Sequence, residues 1–292
     1  MAAVTVCQNR SARRNVTGIV VSGLYATAVA AAVMWTLFPF YWAAITSIKD
    51  GFSIFGNHWL PFVSFEPTLD SWRTLADKPH LVRSFLNSVA IAVPAATIAL
   101  LLGTPAAYAV ARVPFPSGWA AGFATWFILQ RVAPPVVFVT PYILISRQVG
   151  LDDSVLSTML VNATLNLPLV AIILSGAFRE VPRSLEESAW IDGASRWRSF
   201  RGVALPLVAP GLAASWLLAF AFSWNEAMFA SALSFDASRS MPVLMQSNGG
   251  LGGANLGGAT TQVILGMSLP LLAALFAQRH IVRGLSLGGV KG

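Results

Sequence analysis

The chain has 292 residues, of which 55% are apolar and only 11% are charged, and its mean hydropathy is +0.66. This much apolar surface exceeds what one soluble core can bury, so the composition excludes a soluble fold and indicates a polytopic membrane protein. A net charge of +7 would suggest nucleic-acid binding in a soluble domain, but here the basic residues lie mainly between apolar segments, as membrane orientation requires. The single cysteine, Cys7, excludes an intrachain disulfide and a cysteine-based metal cluster.

Six apolar segments reach the length of about 20 residues that crosses a bilayer as a helix. Helices are expected because a span must satisfy its own backbone hydrogen bonds, and these long runs lack the alternation of a barrel strand. We therefore predict an all-α membrane protein with spans at 19–48, 85–111, 119–145, 155–178, 205–233 and 260–282. The remaining segments are a tail at 1–18, a loop at 179–204 and a second tail at 283–292. Kinks are expected at the prolines inside the spans, namely Pro94, Pro105, Pro134, Pro135, Pro141, Pro168, Pro210 and Pro270.

The distribution of Lys and Arg predicts the orientation of these spans. With the N-terminus inside, 12 of the 19 basic residues lie in the cytoplasm and six lie outside. The positive-inside rule therefore predicts that both termini and the 179–204 loop are cytoplasmic.

Two charged residues, Arg131 and Glu226, fall within predicted spans and are functional candidates because a charge in the bilayer is costly. Counted along straight helices from the cytoplasmic ends, Arg131 lies ~18 Å deep and Glu226 ~31 Å deep, which argues against a direct salt bridge. Arg131 has a structural alternative, a tie to backbone carbonyls freed around Pro134 and Pro135. Glu226 either lines a gate or is solvated near the outer boundary.

The 179–204 loop is the only sizeable cytoplasmic loop, and its sequence favours a short helix. Ser184 and Glu187 have capping-box spacing, and Glu186 and Glu187 fall where the helix dipole favours negative charge. Small residues allow a close approach by another surface, with apolar anchors beside them: Ser188, Ala189, Gly193, Ala194, Trp190, Ile191 and Trp197. Chemistry alone leaves two interpretations open, a docking helix for a soluble partner and an interfacial helix whose arginines neutralise lipid headgroups.

The spacing within this loop resembles that of permease subunits of bacterial ATP-driven importers. Their pattern is Glu-Ala-Ala, three residues, Gly, nine residues, Ile, one residue, Leu-Pro; the matching positions here are Glu187, Ser188, Ala189, Gly193, Val203, Leu205 and Pro206. Ser188 and Val203 depart from the pattern conservatively. Further similarity to the maltose-type (MalG-like) carbohydrate permeases covers Asn87-Ser88, Ala106 to Ala109 with Arg112, Arg131 with Pro134-Pro135, Trp224-Asn225-Glu226, and Arg283 to Gly292.

This resemblance implies a type I ABC importer with a MetI-like core. The expected partners are a second homologous permease, two ATPase subunits and an extracytoplasmic sugar-binding protein, all at the bacterial cytoplasmic membrane. It implies ATPase coupling through Glu186, Glu187, Ser188, Ala189, Asp192, Gly193, Leu205 and Pro206, with Glu187 near a basic residue of the ATPase. The C-terminal residues Gly288, Gly289, Val290 and Lys291 are expected to reach toward the ATPase dimer interface. This subunit is expected to hold no catalytic residue, metal or cofactor, because ATP and Mg²⁺ bind the partner ATPase.

A sugar requires matching hydrogen-bond groups and an aromatic face, so the translocation-path candidates are Asn87, Arg131, Trp224, Asn225 and Glu226, with Asn162 and Asn166 as further polar groups. The alternative for the asparagines is bonding from helix to helix. Three other functions compete: the same machine carrying a polyol, glycerophosphodiester or amino sugar; a membrane enzyme acting on lipid-linked substrates; and a membrane scaffold without transport. The scattered His58, His80 and His280 argue against the enzyme.

Overall fold

The computed structural model describes residues 2–116, 118–249 and 256–288. These residues are helical and form no β-sheet beyond one isolated bridge between Pro61 and Phe65. The helices are α1 Ala2–Ser47, α2 Asp70–Ala76, α3 Pro79–Arg112, α4 Trp119–Val132, α5 Val136–Gln148, α6 Val155–Glu180, α7 Arg183–Ile191, α8 Arg196–Ser199, α9 Leu205–Leu207, α10 Ala209–Trp224, α11 Met228–Leu233, α12 Met241–Gly249 and α13 Leu256–Gly288. A 3-10 turn at Ser53–Phe55 and a π-helical turn at Phe200–Ala204 complete the elements.

Four stretches of these helices are long and apolar enough to cross a membrane: Val21–Ser47, His80–Arg112, Val155–Glu180 and Leu256–Phe276. Two further spans arise only if each of two bent helix pairs counts as one, which gives up to six. The helices also extend beyond the predicted spans. α1 begins within the predicted N-terminal tail, and α13 continues to Gly288 in the predicted C-terminal tail. Gly289, Val290 and Lys291 of that tail lie outside the described residues.

The predicted span 119–145 is broken into α4 and α5, which meet at an angle of 93°. The break lies at Pro134 and Pro135, where two consecutive residues lack a backbone N–H. Ala133, which precedes them, is extended with φ −59° and ψ 133°, as expected for a residue before proline. The expected kink is thus a complete break, whereas Pro94, Pro105, Pro141, Pro168 and Pro270 lie inside continuous helices.

The predicted span 205–233 is also not one straight helix. The segments Arg196–Leu207 and Ala209–Trp224 are bent by 74°, and α10 ends at Trp224 before the short α11. Pro206 and Pro210 remove backbone donors four residues apart, which interrupts the helix around Val208. The depth of ~31 Å counted for Glu226 along one straight helix is therefore wrong.

Residues Met1–Arg73 and Asn255–Ile264 form one compact unit. Its core lies where α1 ends, with Ile45 and Lys49 buried. The Lys49 ammonium lies 4.9 Å from the ring centroid of Trp42 and 5.4 Å from that of Phe65. The indole of Trp72 donates to the Ser47 hydroxyl at 3.3 Å and ties α2 to the end of α1.

Residues Thr74–Ala254 and Leu265–Gly292 form the second unit, and the candidate site lies here. α3 and α6 pack closely because small residues of α3 face α6. These α3 residues are fully buried: Ala92, Ala96, Ala99 and Ala107. A Cβ on Gly103 would lie only 2.8 Å from a side-chain carbon of Val170, so a larger residue at this position would force one of the two helices or the Val170 side chain to shift. α10 packs on the same pair through Ala219, Phe220 and Trp224.

Candidate functional site

The 179–204 loop forms a short helix, a tight turn and a second helical segment. α7 begins at Arg183, directly after Pro182 (φ −59°, ψ 127°), and no side chain caps its first turn. The predicted capping box of Ser184 and Glu187 is therefore wrong. With Pro182 as its N-cap, α7 begins two residues earlier than the predicted capping box requires, so Ser184 lies inside α7, where its carbonyl accepts from the Ser188 hydroxyl at 2.8 Å.

Gly193 ends α7 in a left-handed conformation, with φ +84°. The amide of Gly193 donates to the Trp190 carbonyl at 3.0 Å, and the amide of Ala194 donates to the Ala189 carbonyl at 2.9 Å. This pair of hydrogen bonds is the Schellman motif, which favours glycine because a Cβ is strained at positive φ. The motif glycine therefore has a local role, which is to reverse the chain between α7 and α8.

The two adjacent glutamates of α7 have opposite environments. Glu187 is exposed, whereas Glu186 is only 2% exposed and points toward the transmembrane helices. Glu186 accepts one hydrogen bond from the Tyr108 hydroxyl at 2.6 Å and one from Arg112 Nε at 2.8 Å. Arg112 also donates to the Val181 carbonyl, which precedes α7. A buried ion pair in which each partner makes a further hydrogen bond thus joins α7 to the end of α3.

Aromatic packing connects the second half of the loop to the same point. The Tyr108 ring lies 4.6 Å from that of Phe200, in the π-helical turn, and 5.3 Å from that of Phe178, near the end of α6. Phe178 and Phe200 are buried, and the ring of Trp197 in α8 lies 5.3 Å from that of Phe200. Tyr108 therefore contacts both halves of the loop and a second transmembrane helix.

The outer surface of the loop combines exposed apolar side chains with charges. Four large side chains are exposed: Leu185 44%, Trp190 42%, Ile191 86% and Trp197 66%. The guanidinium of Arg196 lies 5.9 Å from the Trp190 ring centroid. Five of the predicted coupling residues are exposed, namely Glu187, Ser188, Asp192, Gly193 and Pro206, whereas Ala189 is half-buried and Leu205 is half-buried and packs against the core. Glu186 is fully buried, and its carboxylate is enclosed by this chain.

The three uncharged path candidates all have hydrogen-bond partners within this chain. Asn87 donates to the carbonyls of Ala237 and Arg239, at 3.0 Å each. Trp224 is 3% exposed, and its indole donates to the Gly266 carbonyl of α13 at 2.7 Å. Asn225 is exposed, and its amide donates back to Ala221 of α10. Of these three, Asn225 alone presents an exposed side chain.

The two charged path candidates do not pair with each other in the described part of the chain. Arg131 is exposed, and its guanidinium lies 4.5 Å from the ring centroid of Phe222, a cation–π contact between α4 and α10. Glu226 instead accepts from the backbone amides of Phe229 and Ala230, at 2.8 and 3.0 Å, and so caps α11.

Asn162 and Asn166 form contacts within α6 and from α6 to α10. Asn162 donates to the Thr158 carbonyl, and Asn166 donates to Asn162 and, at 3.0 Å, to the Ser223 hydroxyl. Both asparagines are buried, and the bond from Asn166 to Ser223 matches the helix-to-helix alternative, whereas Asn162 donates within its own helix.

Asp153, in the turn between α5 and α6, was not singled out from the sequence. Its carboxylate accepts from the backbone amides of residues 235–238 and from the Ser238 hydroxyl at 2.8 Å. Partial burial raises the pKa of Asp153, but these hydrogen bonds outweigh it and hold the pKa well below its usual range. Asp153 therefore holds the segment after α11 in place, and Asn87 donates hydrogen bonds to the same segment.

Comparison with known proteins identifies the family. The sequence matches the family described as "Binding-protein-dependent transport system inner membrane component" over residues 80–287. The chain belongs to this family. That membership confirms the resemblance drawn from the loop motif, and it makes the chain a membrane protein of several apolar helices.

Two named relatives are similar to this chain over most of their own length. The trehalose transport system permease protein SugB of Mycobacterium tuberculosis is 32% identical over 271 residues, which cover 86% of this chain and 97% of that protein. The diacetylchitobiose uptake system permease protein DasC of Streptomyces coelicolor is 31% identical, covering 88% and 92%. A solved bacterial ABC transporter that imports the acidic polysaccharide alginate has the same fold, with a TM-score of 0.72 at 20% identity, covering 88% of this chain and 94% of that one.

The contacts of Tyr108 and Arg112 were not predicted, although both residues contributed to the resemblance. Their spacing offered a signal, since residues four apart lie on the same face of a helix. An arginine and a tyrosine lie on one face at the end of this span, and the 179–204 loop holds two glutamates. The arginine and the tyrosine can both donate to the carboxylate of a buried glutamate.

Proposed function

We propose that this chain is the permease subunit of an ATP-driven importer that carries a carbohydrate across the bacterial cytoplasmic membrane. The proposal is supported by the family, by relatives named as permeases for trehalose and diacetylchitobiose, and by the organisation of the 179–204 loop. The chain itself performs no catalytic step and holds no cofactor, because ATP and Mg²⁺ are bound by a separate ATPase.

The observation that carries the proposal is the fixed position and the exposed surface of α7. Ile191 is 86% exposed at the end of a nine-residue helix, and Trp190 and Trp197 flank it. Exposed aromatic and aliphatic anchors next to charges are typical of a binding surface. The opposite side of α7 is attached to the transmembrane helices through the buried Glu186, so the surface is presented in one orientation.

We place the loop and both termini in the cytoplasm on the basis of the positive-inside distribution. The ATPase then docks on α7, with Glu187 facing a basic residue of that subunit. A second homologous permease completes the pathway, two ATPase subunits lie below, and an extracytoplasmic binding protein delivers the sugar. Closure of the ATPases on ATP would move the helices between inward and outward openings by rigid-body motion.

Arg131 and Asn225 are the path candidates whose side chains remain exposed for a substrate. The other candidates, Asn87, Trp224 and Glu226, support the path indirectly by fixing segments that border it. A polyol, glycerophosphodiester or amino sugar carried by the same machine is the alternative substrate class, and the ligand of the binding protein decides it.

The test is purification of the tagged chain from native membranes in mild detergent, comparing wild type with Glu187→Arg. We expect an ATPase and a second permease to copurify with the wild type and the ATPase to be lost from the variant. Glu180→Arg is the matched control, because Glu180 is also exposed but lies at the end of α6, outside α7. If the wild type binds no ATPase, the scaffold and the interfacial-helix interpretations replace this proposal.

A further inference from the structure

The buried face of α7 has a connection that docking alone does not require. A docking helix needs an exposed surface, yet α7 also holds Glu186 at 2% exposure against Arg112 at 9%, with Tyr108 completing the contact. Removing two charges from water is costly, and a buried pair is weak evidence for stability, so its better-attested use is to specify one arrangement. That arrangement is the position of α7 relative to the end of α3.

Apart from the contacts of Glu186, the main neighbours of α7 in the described chain belong to its own loop, namely α8 and the π-helical turn. α7 has only nine residues, and it is followed by a turn at Gly193 that a glycine makes conformationally permissive. Without the Glu186 contacts, α7 would be linked to the spans only indirectly, through the chain at its two ends and through the packing of Phe200 on the Tyr108 ring. With them, a movement of α7 pulls directly on α3.

α3 is suited to carry such a movement onward. It is a continuous 34-residue helix, packed along its length on α6 through fully buried alanines and the close approach at Gly103. The second half of the loop joins the same point, because Phe200 and Phe178 both pack on the Tyr108 ring. Packed helices of this kind move as units rather than deform continuously.

We propose that Tyr108, Arg112 and Glu186 form the connection that converts movement of the docking loop into movement of α3. This inference rests on the proposed function, since it assumes that an ATPase displaces α7. The three side chains are positioning residues: they contact neither substrate nor nucleotide, and they act by keeping α7 and α3 in a fixed relation while both move.

The experiment measures that relation in the complete transporter, purified with its partners and reconstituted in lipid nanodiscs. Cys7 is replaced by serine, and spin labels are attached at Arg183→Cys, in the first turn of α7, and Arg83→Cys, in the first turns of α3; both positions are exposed. The label-to-label distance is recorded by pulsed electron resonance without nucleotide and after trapping with ATP and vanadate. The variants are Tyr108→Phe, which removes one hydroxyl and keeps the ring, and Glu186→Gln, which keeps the shape and removes the charge.

When Tyr108, Arg112 and Glu186 are all present, we expect the label-to-label distance to stay constant on trapping with vanadate, because α7 and α3 move together. In Tyr108→Phe and Glu186→Gln the ATPase stays bound, and trapping shifts or broadens the distance by about 1–2 Å or more. The stimulation of ATP hydrolysis by the binding protein falls roughly threefold to tenfold in these variants, within the range expected for loss of one coupling element. Glu187→Gln is the matched control one residue away; it reduces the amount of bound ATPase while the distance in assembled complexes stays as in the wild type.

An unchanged distance and unchanged stimulation in assembled Tyr108→Phe and Glu186→Gln complexes would overturn the connection and leave the proposed function intact. If Glu186→Gln fails to accumulate, Tyr108→Phe decides, because it removes a single oxygen from a ring that stays packed. Loss of the bound ATPase from Tyr108→Phe also overturns the inference, since the network would then support docking rather than transmission. Absence of any ATPase from the wild-type preparation overturns the proposed function itself.

Discussion

Replacing Gly193 tests which property of the turn that ends α7 determines the affinity for the ATPase: its left-handed backbone conformation or the absence of a side chain at the partner surface. Gly193 has φ +84°, and a Cβ there would meet no heavy atom of this chain within 4 Å. The cost of a side chain within the chain is therefore backbone strain alone, about 1–2 kcal/mol for an ordinary residue. A β-branched residue costs more than alanine, and asparagine costs less, because it tolerates the left-handed region.

If α7 must keep this turn to bind the ATPase, a strain of 1–2 kcal/mol weakens binding by about 5- to 30-fold. We expect the order of effect to be Gly193→Val, then Gly193→Ala, then Gly193→Asn, with the asparagine variant closest to wild type. The assay is a titration of fluorescently labelled ATPase subunits onto the permease pair in nanodiscs, which gives a dissociation constant for each variant.

Gly202 provides the matched control for this series. It is exposed, a Cβ there would also meet nothing within 4 Å, and its φ is not positive. Gly202→Val and Gly202→Asn should change binding by no more than about twofold, as surface substitutions usually do. Backbone strain is not the cause if Gly193→Asn weakens binding as much as Gly193→Val while Gly193→Ala has no effect, because side-chain volume at the partner surface would then explain the loss.

Two further predictions concern the helices around the loop and the segment after α11. Gly103→Ala should lower the free energy of unfolding of the detergent-solubilised protein by about 1–3 kcal/mol, because the added methyl group would clash with Val170. Gly176→Ala, whose methyl group would meet no atom within 4 Å, should leave the free energy of unfolding unchanged or raise it slightly. Equal effects of the two substitutions would contradict the close packing of α3 on α6. Asp153→Ala should speed amide hydrogen exchange at 235–238. Because the pKa of Asp153 is lowered in the folded state, its carboxylate should protect these amides above about pH 4 and lose this effect as the pH falls further. Exchange rates are compared after correction for the intrinsic rates. Amide protection that rises on acidification would contradict the prediction.

The loop illustrates how far the candidate site could be predicted. The spacing from Glu187 to Pro206 predicted a docking surface and indicated the family to which the chain belongs. The spacing could not show which of the two adjacent glutamates, Glu186 or Glu187, is buried, since adjacent residues of one type differ only in the side of the helix on which they lie. That choice depends on Tyr108 and Arg112, which lie 78 and 74 residues away from Glu186 along the chain.

The polar residues of the spans show the same limit. Glu226 was predicted as a charge within a long helix, but the helix ends at Trp224, and the carboxylate caps α11. Asn87 was a path candidate because it is polar near a span, yet its amide is used by the carbonyls of Ala237 and Arg239. Sequence identifies a group that needs a hydrogen-bond partner, but only the tertiary structure shows which partner it has; for Asn87 the partners are 150 and 152 residues away along the chain.

The sequence by itself determined the class of the molecule, the approximate positions of its apolar segments and the family. These follow from local composition and spacing, because the bilayer imposes a fixed length and a fixed polarity on each segment. Only the tertiary structure decided that prolines break two of the segments into pairs bent by 93° and 74°, and that α7 is held by a buried carboxylate. A proline in a membrane helix can remain inside a continuous helix or end it, and the choice depends on which neighbouring helix satisfies the freed backbone groups; that information lies in the packing and not in the local sequence.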